Sequence, residues 1–584
     1  MCGLLTVIQK KHRTLDISSC RRALSYLSWR GPDLNVSSVW KDFLFIGHNV
    51  LSLTGSPLNR INEYSRSKNG RYKIAFNGEI YNFRELAEKW LKNHITLDNK
   101  TTDTEILVNL YEVLPPEKIP QLLNGMYAYT LLDEFTGQLF VVRDTQGEKT
   151  LYIYEDDELI IIASELTAIK SIVGRIPLDE QALRDYFCTR HFMHFSRTSF
   201  LKTRQILPGY TECFNTHEGK WKVIASHSIS DWINPDQFEN NSSRTLDDLA
   251  DELDAKLINE TRSMLPNGNF AAVASGGVDS SLLSYYLNTY GDPKLFIAVN
   301  NIGKDLISSD LSGFEKVLRK KIQVVQVDKR DYAGEIPRCQ QRSGSPLCSH
   351  SFVTQAIQSN IVRSAGCSII FGGEGGDELF GGYNTYLDSV KLTEQFSPSQ
   401  YMSYKTPEVE FIENDPSIIR NELAASWESA LKAYSFIEKK EEQISLAMMY
   451  ADSAFQLPSV ALRGSDIMSM MWSVEARSIF LSKDIITFAL NLPLAAKINK
   501  ENVDPNLRTK VLLKNLFLRH YPKELLFKKQ GFTGFPNESA GYLGNKQDYM
   551  VFNALGVKKT ELPYNRETEW KLINLEYFLR QENI

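Results

Sequence analysis

The chain has 584 residues, 42% of them hydrophobic and 23% charged, with a formal net charge of −5. This length exceeds what one hydrophobic core supports, so at least two domains are expected. The negative charge and the lack of an apolar run of about 20 residues argue against nucleic-acid and membrane partners. Charged residues soon follow the first apolar stretch, which is unlike a signal peptide and predicts a cytoplasmic protein.

Residues 2–210 show short apolar or alternating stretches separated by a few helical patterns. The strand patterns include LLTVI, FLFIGHNVLSL, YKIAFNG and QLFVVRD, and the helical patterns include NFRELAEKWLKN and TDTEILVNLYEVL. Either Thr102 or Asp103 is placed to cap the second helix. Strands in blocks with few helices predict an α+β domain.

Residues 211–245 are rich in polar and turn-forming residues, so they are predicted to link two domains. Within this linker, KWKVIASHSI is predicted to form a strand between two polar stretches. The second domain, residues 246–584, alternates buried strands with helices and is mostly helical in its last third. This alternation predicts an α/β domain built on a parallel sheet with helices on both faces.

Seven scattered cysteines lack the spacing of a zinc site, so most are expected to be reduced and buried. Cys2 differs because it stands at the chain start, before the apolar LLTV. After loss of Met1 it would carry both a thiol and a free α-amine, and that amine can serve as the base that activates the thiol. Cys2 is therefore a candidate N-terminal nucleophile on a strand that holds the chain end in the fold.

The strongest local signal is ASGGVDSS, which follows an apolar strand and precedes a helix. Backbone N–H groups and hydroxyls at a helix N-terminus bind anions, and paired glycines allow close approach of the backbone. The stretch is neither a Walker loop nor a GxGxxG turn. It matches the SGGxDS pyrophosphate loop of the ATP pyrophosphatases, which adenylate a substrate and release pyrophosphate.

A second glycine-rich stretch, GGEGGDELFGGY, also follows an apolar strand and contains Glu374, Asp377 and Glu378. Ligands of parallel sheets bind beyond the carboxyl ends of the strands, so both loops are expected to face one site. Dense carboxylates suit Mg²⁺ held jointly with phosphate oxygens, and they also suit a general base.

Together these motifs resemble the glutamine-dependent asparagine synthetase family over nearly the whole chain. The resemblance implies a class II glutamine amidotransferase domain with the N-terminal nucleophile fold, in which two stacked antiparallel sheets lie between helices. It further implies a synthetase domain of ATP pyrophosphatase type, ATP and Mg²⁺ as requirements, and, as in many members, a homodimer. The shared motifs are MCG, RGPD, FNGEIYN, TDTE, VRDTQGEKTLY, ASE, SGGVDSS, GGEGGDELFGGY, MSMMWSVEARSIFL and KKQGF.

In the first site, the resemblance makes Cys2 the nucleophile that attacks the glutamine side-chain amide. Asn77 and the backbone N–H of Gly78 would form the oxyanion hole, which stabilises the charge of the tetrahedral state. Asp103 would hold the α-ammonium of glutamine, and the released ammonia would pass through an internal tunnel. The residues expected to bind glutamine are Arg30, Asn77, Glu79 and Asp103.

In the second site, ATP would convert an acceptor carboxylate into an acyl-adenylate. The resemblance makes Glu374 the base that deprotonates the attacking ammonia and Lys510 the cation that stabilises charge during adenylation or collapse. Asp279 and Asp377 would hold Mg²⁺, and Arg477 either faces this site or forms a structural ion pair. The residues expected to bind ATP and pyrophosphate are Ser275, Gly276, Gly277, Asp279, Ser280, Ser281 and Gly373.

Three stretches depart from the family pattern. Val50 stands in HNVLSL where the family has an arginine for the glutamine α-carboxylate, so glutamine binding is expected to be weaker unless another cation such as Arg60 substitutes. The usually acidic acceptor-side segment reads GSPLCSHS at 344–351, which favours an acceptor other than free aspartate. RSIFLS at 477–482 replaces RVPFLD, either as structural drift or as a reshaped pocket.

The leading hypothesis is a glutamine- and ATP-dependent ligase that amidates either aspartate or another carboxylate, such as a uronic acid. An intramolecular cyclase of the β-lactam-synthetase or lasso-cyclase kind needs no ammonia, and the retained Cys2, Asn77, Gly78 and Asp103 argue against it. A non-catalytic relative that binds nucleotide or partners is the third alternative. The intact Cys2, both glycine-rich loops and Lys510 argue against that one.

Overall fold

The computed structural model describes residues 2–53, 65–189, 196–300, 304–389, 417–526, 549–556 and 566–582. Met1, Arg60 and the KKQGF motif at 528–532, which figure in the sequence predictions, lie outside the described residues.

The N-terminal half contains two antiparallel sheets. Its strands are β1 (Cys2–Gln9), β2 (Leu34–Trp40), β3 (Leu44–Val50), β4 (Tyr72–Ile80), β5 (Gly125–Asp133), β6 (Gln138–Arg143), β7 (Tyr152–Glu155), β8 (Leu159–Ala163), β9 (Thr203–Gln205), β10 (Tyr210–Asn215) and β11 (Lys220–Ser226). Within the described residues the strand orders are β2-β3-β1-β8-β7-β9 and β11-β10-β6-β5-β4.

Helices cover the outer faces of both sheets. They are α1 (Ile17–Ser25), α2 (Phe83–Trp90), α3 (Asp103–Val113), α4 (Ile119–Leu122), α5 (Leu166–Val173) and α6 (Glu180–Thr189), with a 3₁₀ turn at Lys10–His12. The Thr102 hydroxyl accepts a hydrogen bond from the Glu105 N–H, so Thr102 and not Asp103 caps α3.

The alternation of β1 explains the layering, because successive side chains of a strand point to opposite faces. Leu4 and Ile8 pack between the two sheets with residues such as Ala128 of β5. Leu5 and Val7 point outward into a separate core that includes side chains of α1 and α5. This arrangement confirms the expected pair of stacked antiparallel sheets between helices.

The predicted linker at 211–245 needs one correction. Strand β10 pairs with β6 and β11 pairs with β10, so residues up to Ser226 belong to the second antiparallel sheet. Cys213 and Phe214 are buried on opposite faces of that sheet, which holds these strands in place. The remaining stretch forms a 3₁₀ turn at Ile229–Trp232 and helix α7 (Pro235–Ser242), and the division into two domains stays a prediction.

The C-terminal half is built on a parallel sheet, as predicted. Its strands are β12 (Ala271–Val273), β13 (Lys294–Asn300), β14 (Ile322–Val327), β15 (Ile369–Phe371) and β16 (Glu475–Arg477). Their order among the described residues is β14-β13-β12-β15-β16. Strands β12 and β15 are neighbours, so the two glycine-rich loops that follow them start side by side.

Helices dominate the remainder of this half. They are α8 (Leu246–Met264), α9 (Val278–Tyr290), α10 (Lys304–Leu318), α11 (Lys329–Ser343), α12 (Ser351–Ser364), α13 (Gly376–Phe380), α14 (Asn384–Ser389), α15 (Ser417–Ala433), α16 (Lys440–Ala451), α17 (Arg463–Met470), α18 (Lys483–Leu490), α19 (Leu494–Lys497), α20 (Val511–His520), α21 (Val551–Leu555) and α22 (Arg566–Gln581). Short 3₁₀ turns occur at Ile479–Leu481, Pro505–Leu507 and Lys523–Leu525. Two π-helical segments, Asp452–Gln456 and Pro458–Leu462, join α16 to α17. Among the residues described, no helix is long and apolar enough to cross a membrane.

Candidate active sites

The predicted nucleophile and its predicted oxyanion partner lie together although they belong to different sheets. The backbone N–H of Cys2, at the start of β1, donates to Asn77 Oδ1 of β4 at 3.1 Å. Asn77 is fully buried, and its Nδ2 has no hydrogen-bond partner within the described part of the chain. The amide N–H₂ is thus a buried donor on a side chain that contacts Cys2, and a buried free donor near the nucleophile is what an oxyanion hole requires.

Gly78 follows Asn77 at a point where β4 and β5 approach closely. A Cβ at this position would lie 2.7 Å from the Cα of Tyr127 and closer still to the carbonyl oxygen of Met126. Any side chain here would push β4 away from β5, so glycine is needed to keep this backbone beside Cys2.

The Cys2 thiol is buried, and this burial raises its pKa, while a hydrogen bond from the Leu51 backbone opposes the shift. A raised pKa keeps the thiol protonated at neutral pH. Because the thiolate is the nucleophile, the site needs a base at hand to remove the proton.

Two half-buried carboxylates, Glu79 and Asp103, lie near Cys2. Asp103 accepts hydrogen bonds from the Ile80 N–H at 3.1 Å and the Thr104 N–H at 2.7 Å. Burial raises the pKa of Asp103, and burial with the neighbouring Asp103 charge raises the pKa of Glu79 to about 8. Two carboxylates with raised pKa values in one buried site would be stabilised by a cation such as an α-ammonium group.

Arg30 does not face this site, which corrects the prediction that it binds glutamine. Its guanidinium is fully buried and pairs with Glu165 at 3.1 Å and Asp466 at 2.8 Å. Its Nε donates to the backbone carbonyl of Cys2 at 3.3 Å. Arg30 therefore supports strand β1 through the Cys2 carbonyl. Its charge is already neutralised by Glu165 and Asp466.

Sequence reasoning missed Asp466, which connects the two halves from helix α17. Besides Arg30, Asp466 contacts Lys149 Nζ at 3.3 Å and accepts from the Thr150 hydroxyl at 3.2 Å. The neighbouring cations hold the pKa of Asp466 below its usual range. Its signal in the sequence is weak, since it is a single acidic residue in a stretch of small and apolar ones.

Three predicted residues of the second site converge at the ends of three helices. Lys510, directly before α20, pairs with Asp377 Oδ1 at 2.6 Å and with Asp279. Asp279 is in the first turn of α9 and Asp377 in the first turn of α13. The lysine therefore bridges the two carboxylates that were predicted to hold a metal ion.

These two carboxylates fit a magnesium ion that phosphate oxygens also coordinate. Mg²⁺ prefers hard oxygen ligands and is commonly bound by one or two carboxylates together with substrate phosphates. Among the described residues no group of three or more His, Cys, Asp or Glu side chains is placed to hold a metal ion.

A cavity of about 340 Å³ opens beside this cluster. Ser281 and Gly276 are not among its lining residues; the Ser281 carbonyl instead accepts from the Tyr521 hydroxyl at 2.8 Å. The predicted residues that line it are Ser275, Gly277, Asp279, Ser280, Gly373, Glu374 and Asp377.

Glu374 lies between this cavity and the N-terminal half. Its Oε1 accepts from the Ser465 hydroxyl at 3.4 Å, and its backbone carbonyl accepts from the Ser478 hydroxyl at 2.7 Å. Glu374 also borders a small cavity of about 20 Å³ whose other lining residues include Glu148 and Lys149. Glu374 therefore lines two cavities, and the smaller one also touches the amidotransferase motif VRDTQGEKTLY.

Arg477, left open between two roles by the sequence, is an ion-pair residue that faces the first site. Its Nε pairs with Glu475 at 2.6 Å, and its Nη2 lies 3.6 Å from Glu79. Ile479 belongs to the RSIFLS stretch that departs from the family pattern. It is fully buried in the main core, which favours structural drift over a reshaped pocket at that position.

A further cavity, about 470 Å³, lies elsewhere between the two halves. Its walls include Arg143, Tyr210 and Tyr450, and none of the predicted site residues lines it. Its size alone therefore does not make it the catalytic site.

Fold and site together define a two-part ligase: a buried cysteine at the start of a sandwich of antiparallel sheets, joined to a parallel sheet with two glycine-rich loops. Residues 1–223 match the glutamine amidotransferase domain, and residues 259–559 match asparagine synthase. The chain belongs to the asparagine synthase family and is a ligase of its glutamine-dependent class.

Its relatives are distant in sequence. It is 22% identical to glutamine-hydrolyzing asparagine synthetase 1 of Bacillus subtilis, a match that spans 98% of this chain and 93% of that protein. It is also 22% identical to asparagine synthetase 3 of the same organism, over 91% of this chain and 86% of that protein. A solved structure of the allosteric regulatory enzyme of purine biosynthesis covers 56% of this chain and 80% of its own, with 14% identity and a TM-score of 0.30, which supports no argument.

Proposed function

We propose that this protein releases ammonia from glutamine at Cys2 and uses it to amidate a carboxylate that ATP has activated as an acyl-adenylate. The observation that carries the proposal is the contact between the Cys2 N–H and Asn77 Oδ1, with Asn77 Nδ2 left as a buried donor. A cyclase that uses no ammonia would have no need for this arrangement.

In the first half-reaction, the α-amine of Cys2, freed by removal of Met1, accepts the thiol proton. The thiolate attacks the amide carbon of glutamine, and Asn77 Nδ2 with the Gly78 N–H stabilises the oxyanion that forms. Ammonia leaves, and water releases glutamate from the thioester. Asp103 and Glu79 hold the α-ammonium, and its charge offsets the repulsion between them.

Ammonia then moves toward Glu374 along the small cavity that Glu148, Lys149 and Arg477 line. Burial raises the pKa of Glu148, and the charges of Asp144 and Glu374 raise it further. A protonated Glu148 leaves this passage with less fixed charge, so neutral ammonia passes without being captured as ammonium.

In the second half-reaction, an oxygen of the acceptor carboxylate attacks the α-phosphorus of ATP and displaces pyrophosphate. The glycine-rich loop at 275–281 receives the pyrophosphate, and Lys510 balances the charge that develops on the phosphates. Ammonia attacks the acyl carbon, Glu374 takes its proton, and AMP leaves. Mg²⁺, held by Asp279 and Asp377, would neutralise phosphate charge when bound.

Val50 affects the use of glutamine in this scheme. It pairs with Cys2 across β1 and β3 and forms an apolar cluster with Cys2 and Val36. A missing charge-assisted hydrogen bond is worth about 1.5–3 kcal/mol, or one to two powers of ten in glutamine affinity. We therefore expect the KM for glutamine to be high compared with the KM for free ammonia as the nitrogen donor.

The amidotransferase role is assigned to residues 2–210 with the strands that follow, and the synthetase role to residues 246–584. The substrates are glutamine, ATP and a carboxylate, with aspartate or a specialised acid as the acceptor. A homodimer in the cytoplasm stays a prediction, which sedimentation and cell fractionation would test.

The experiment compares Cys2→Ala with the parent chain in two assays, glutamate release and ATP–pyrophosphate exchange. We expect Cys2→Ala to lose glutamine hydrolysis by at least about 10³-fold and to retain exchange and ammonia-dependent amidation. Cys213→Ala, a buried cysteine on the far face of the second sheet, is the matched control and should keep both activities. Glutamine hydrolysis by Cys2→Ala at the parent rate would refute the proposal.

A further inference from the structure

One wall of the 340 Å³ cavity is polar but uncharged. It is a single face of helix α12, because its residues recur at the three- and four-residue spacing of a helix. The side chains that α12 contributes to the cavity are Ser351, Thr354, Gln355, Gln358 and Ser359.

Three polar atoms of this wall are buried and have no hydrogen-bond partner among the described residues: Thr354 Oγ1, Gln355 Oε1 and Gln358 Nε2. Thr354 and Gln358 are only 5% and 6% exposed. A buried polar atom without a partner costs about 1–3 kcal/mol. The three side chains line one cavity wall and have both donor and acceptor character, so a polar ligand in the cavity is the partner that would satisfy them.

The position of the wall assigns it to the acceptor. Helix α12 packs directly on α17, where a Cβ on Gly464 would lie 2.6 Å from Cδ1 of Phe352 and closer still to two other atoms of that ring. Helix α17 contributes Ser465, which donates to Glu374, and Ser469 to the same cavity. The wall therefore adjoins the carboxylate that is proposed to act on the acyl carbon, and the body of the acceptor extends from that carbon.

The charges around the cavity do not suit a free amino acid. Its charged lining residues, within the described ranges, are all acidic: Asp279, Glu374, Asp377 and Glu378. Lys510 lies next to this lining but is engaged with two of these carboxylates. An amino-acid acceptor would bring a second carboxylate, and the described lining of the cavity holds no cation to pair with it.

The segment 344–351, which replaces an acidic stretch of the family, supports the same conclusion. Ser345 accepts from Arg463 Nη2 at 2.6 Å, and Leu347 and Cys348 are buried. These residues serve packing, so the part of this region that reaches the cavity is the uncharged Ser351 and the helix that follows.

We propose that the acceptor is a carboxylic acid whose body is uncharged and carries hydroxyl or amide groups, as in a hexuronic acid. Thr354, Gln355 and Gln358 hydrogen-bond this body and select it over free aspartate. The inference rests on the proposed function, since it names the acid that the synthetase half activates.

The test is ATP–pyrophosphate exchange by the full chain with glucuronate, galacturonate, aspartate or no acid. We expect at least one uronate to raise exchange about tenfold or more above the rate without acid, and aspartate to leave it unchanged. If aspartate alone supports exchange, the acceptor inference is overturned and the proposed function stands. If none of the acids supports exchange, the acceptor inference is overturned, whereas the proposed function is tested separately by glutamate release from the parent and Cys2→Ala chains.

The variants Gln358→Met and Thr354→Val test the wall itself. Each removes a hydrogen bond at nearly constant volume, so we expect KM for the uronate to rise about tenfold and KM for ATP to stay within twofold. Gln323→Met, on an exposed position of β14, is the control for the first substitution. A rise in KM for ATP with no change for the acid would show that the wall binds nucleotide, which overturns the inference.

Discussion

Gly382 offers a sharp test of the geometry at Lys510. Its φ is not in the left-handed region, so alanine is compatible with the backbone, and the effect of a substitution is steric. A Cβ would lie 2.8 Å from Asp377 Cγ and closer to Asp377 Oδ1 and Lys510 Cε, whereas ordinary contacts are 3.4–4 Å. In Gly382→Ala the Asp377 carboxylate must therefore retreat by at least about 0.6 Å.

A displacement of about 1 Å in a positioned group costs about 10²-fold in rate. We expect Gly382→Ala to lower ATP–pyrophosphate exchange by roughly one to two powers of ten and to leave glutamine hydrolysis unchanged. The matched control is Gly334→Ala in α11, where a Cβ meets nothing within 4 Å. Alanine is favoured over glycine inside a helix, so this control should be as active and at least as stable as the parent.

The two assays separate the steric effect from general damage to the fold. A Gly382→Ala chain that keeps full exchange activity would refute the tight packing of Asp377 and Lys510. A chain that loses both activities and unfolds early would show that Gly382 supports the fold as a whole and not the site in particular.

Three further predictions concern the first site and its junction with the second half. Asp466→Asn removes the charge that pairs with Arg30, so we expect the stability in urea to fall by about 3 kcal/mol, whereas Asp292→Asn at an exposed ion pair should change little. Because the pKa of Glu79 is raised from 4.5 to about 8, the folded state holds its proton longer than the unfolded state. The Tm of the parent should therefore fall relative to that of Glu79→Gln as the pH rises from 4.5 to 8, and saturating glutamine should reduce this difference; parallel Tm curves would contradict the shift. Val50→Arg should lower KM for glutamine by one to two powers of ten while the ammonia-dependent rate stays constant, and an unchanged KM would show that a missing arginine does not limit binding.

Short sequence motifs predicted several turns, caps and loops of this protein, because these features depend on residues that are close together in the chain. The SGGVDSS loop lies directly between β12 and α9, as its own residues predicted, and Thr102 caps α3 through a residue three positions away. The nucleophile and the glycine-rich loops were predicted on the same basis, whereas the oxyanion-hole residues followed from the resemblance to the asparagine synthetase family. Alternating apolar residues likewise indicated the stacked sheets.

The roles of charged residues were harder to predict, because a charge is defined by its partners. Arg30 belongs to a motif near the first site, yet its carboxylate partners are Glu165 and Asp466, 135 and 436 residues away. The polar stretch at 211–226 looked like a linker, but pairing with β6 makes it part of a sheet. Neither outcome can be read from a short window of sequence.

By itself, the sequence determined the family, the two kinds of sheet and the residues able to do chemistry, since these depend on residue type and near-neighbour spacing. The tertiary structure alone decided which of those residues meet. It placed Asn77 beside Cys2 across 75 residues and Lys510 beside Asp279 across 231. It also decided that the wall beside Glu374 is neutral, because only the packing of α12 on α17 turns that face of the helix toward the site.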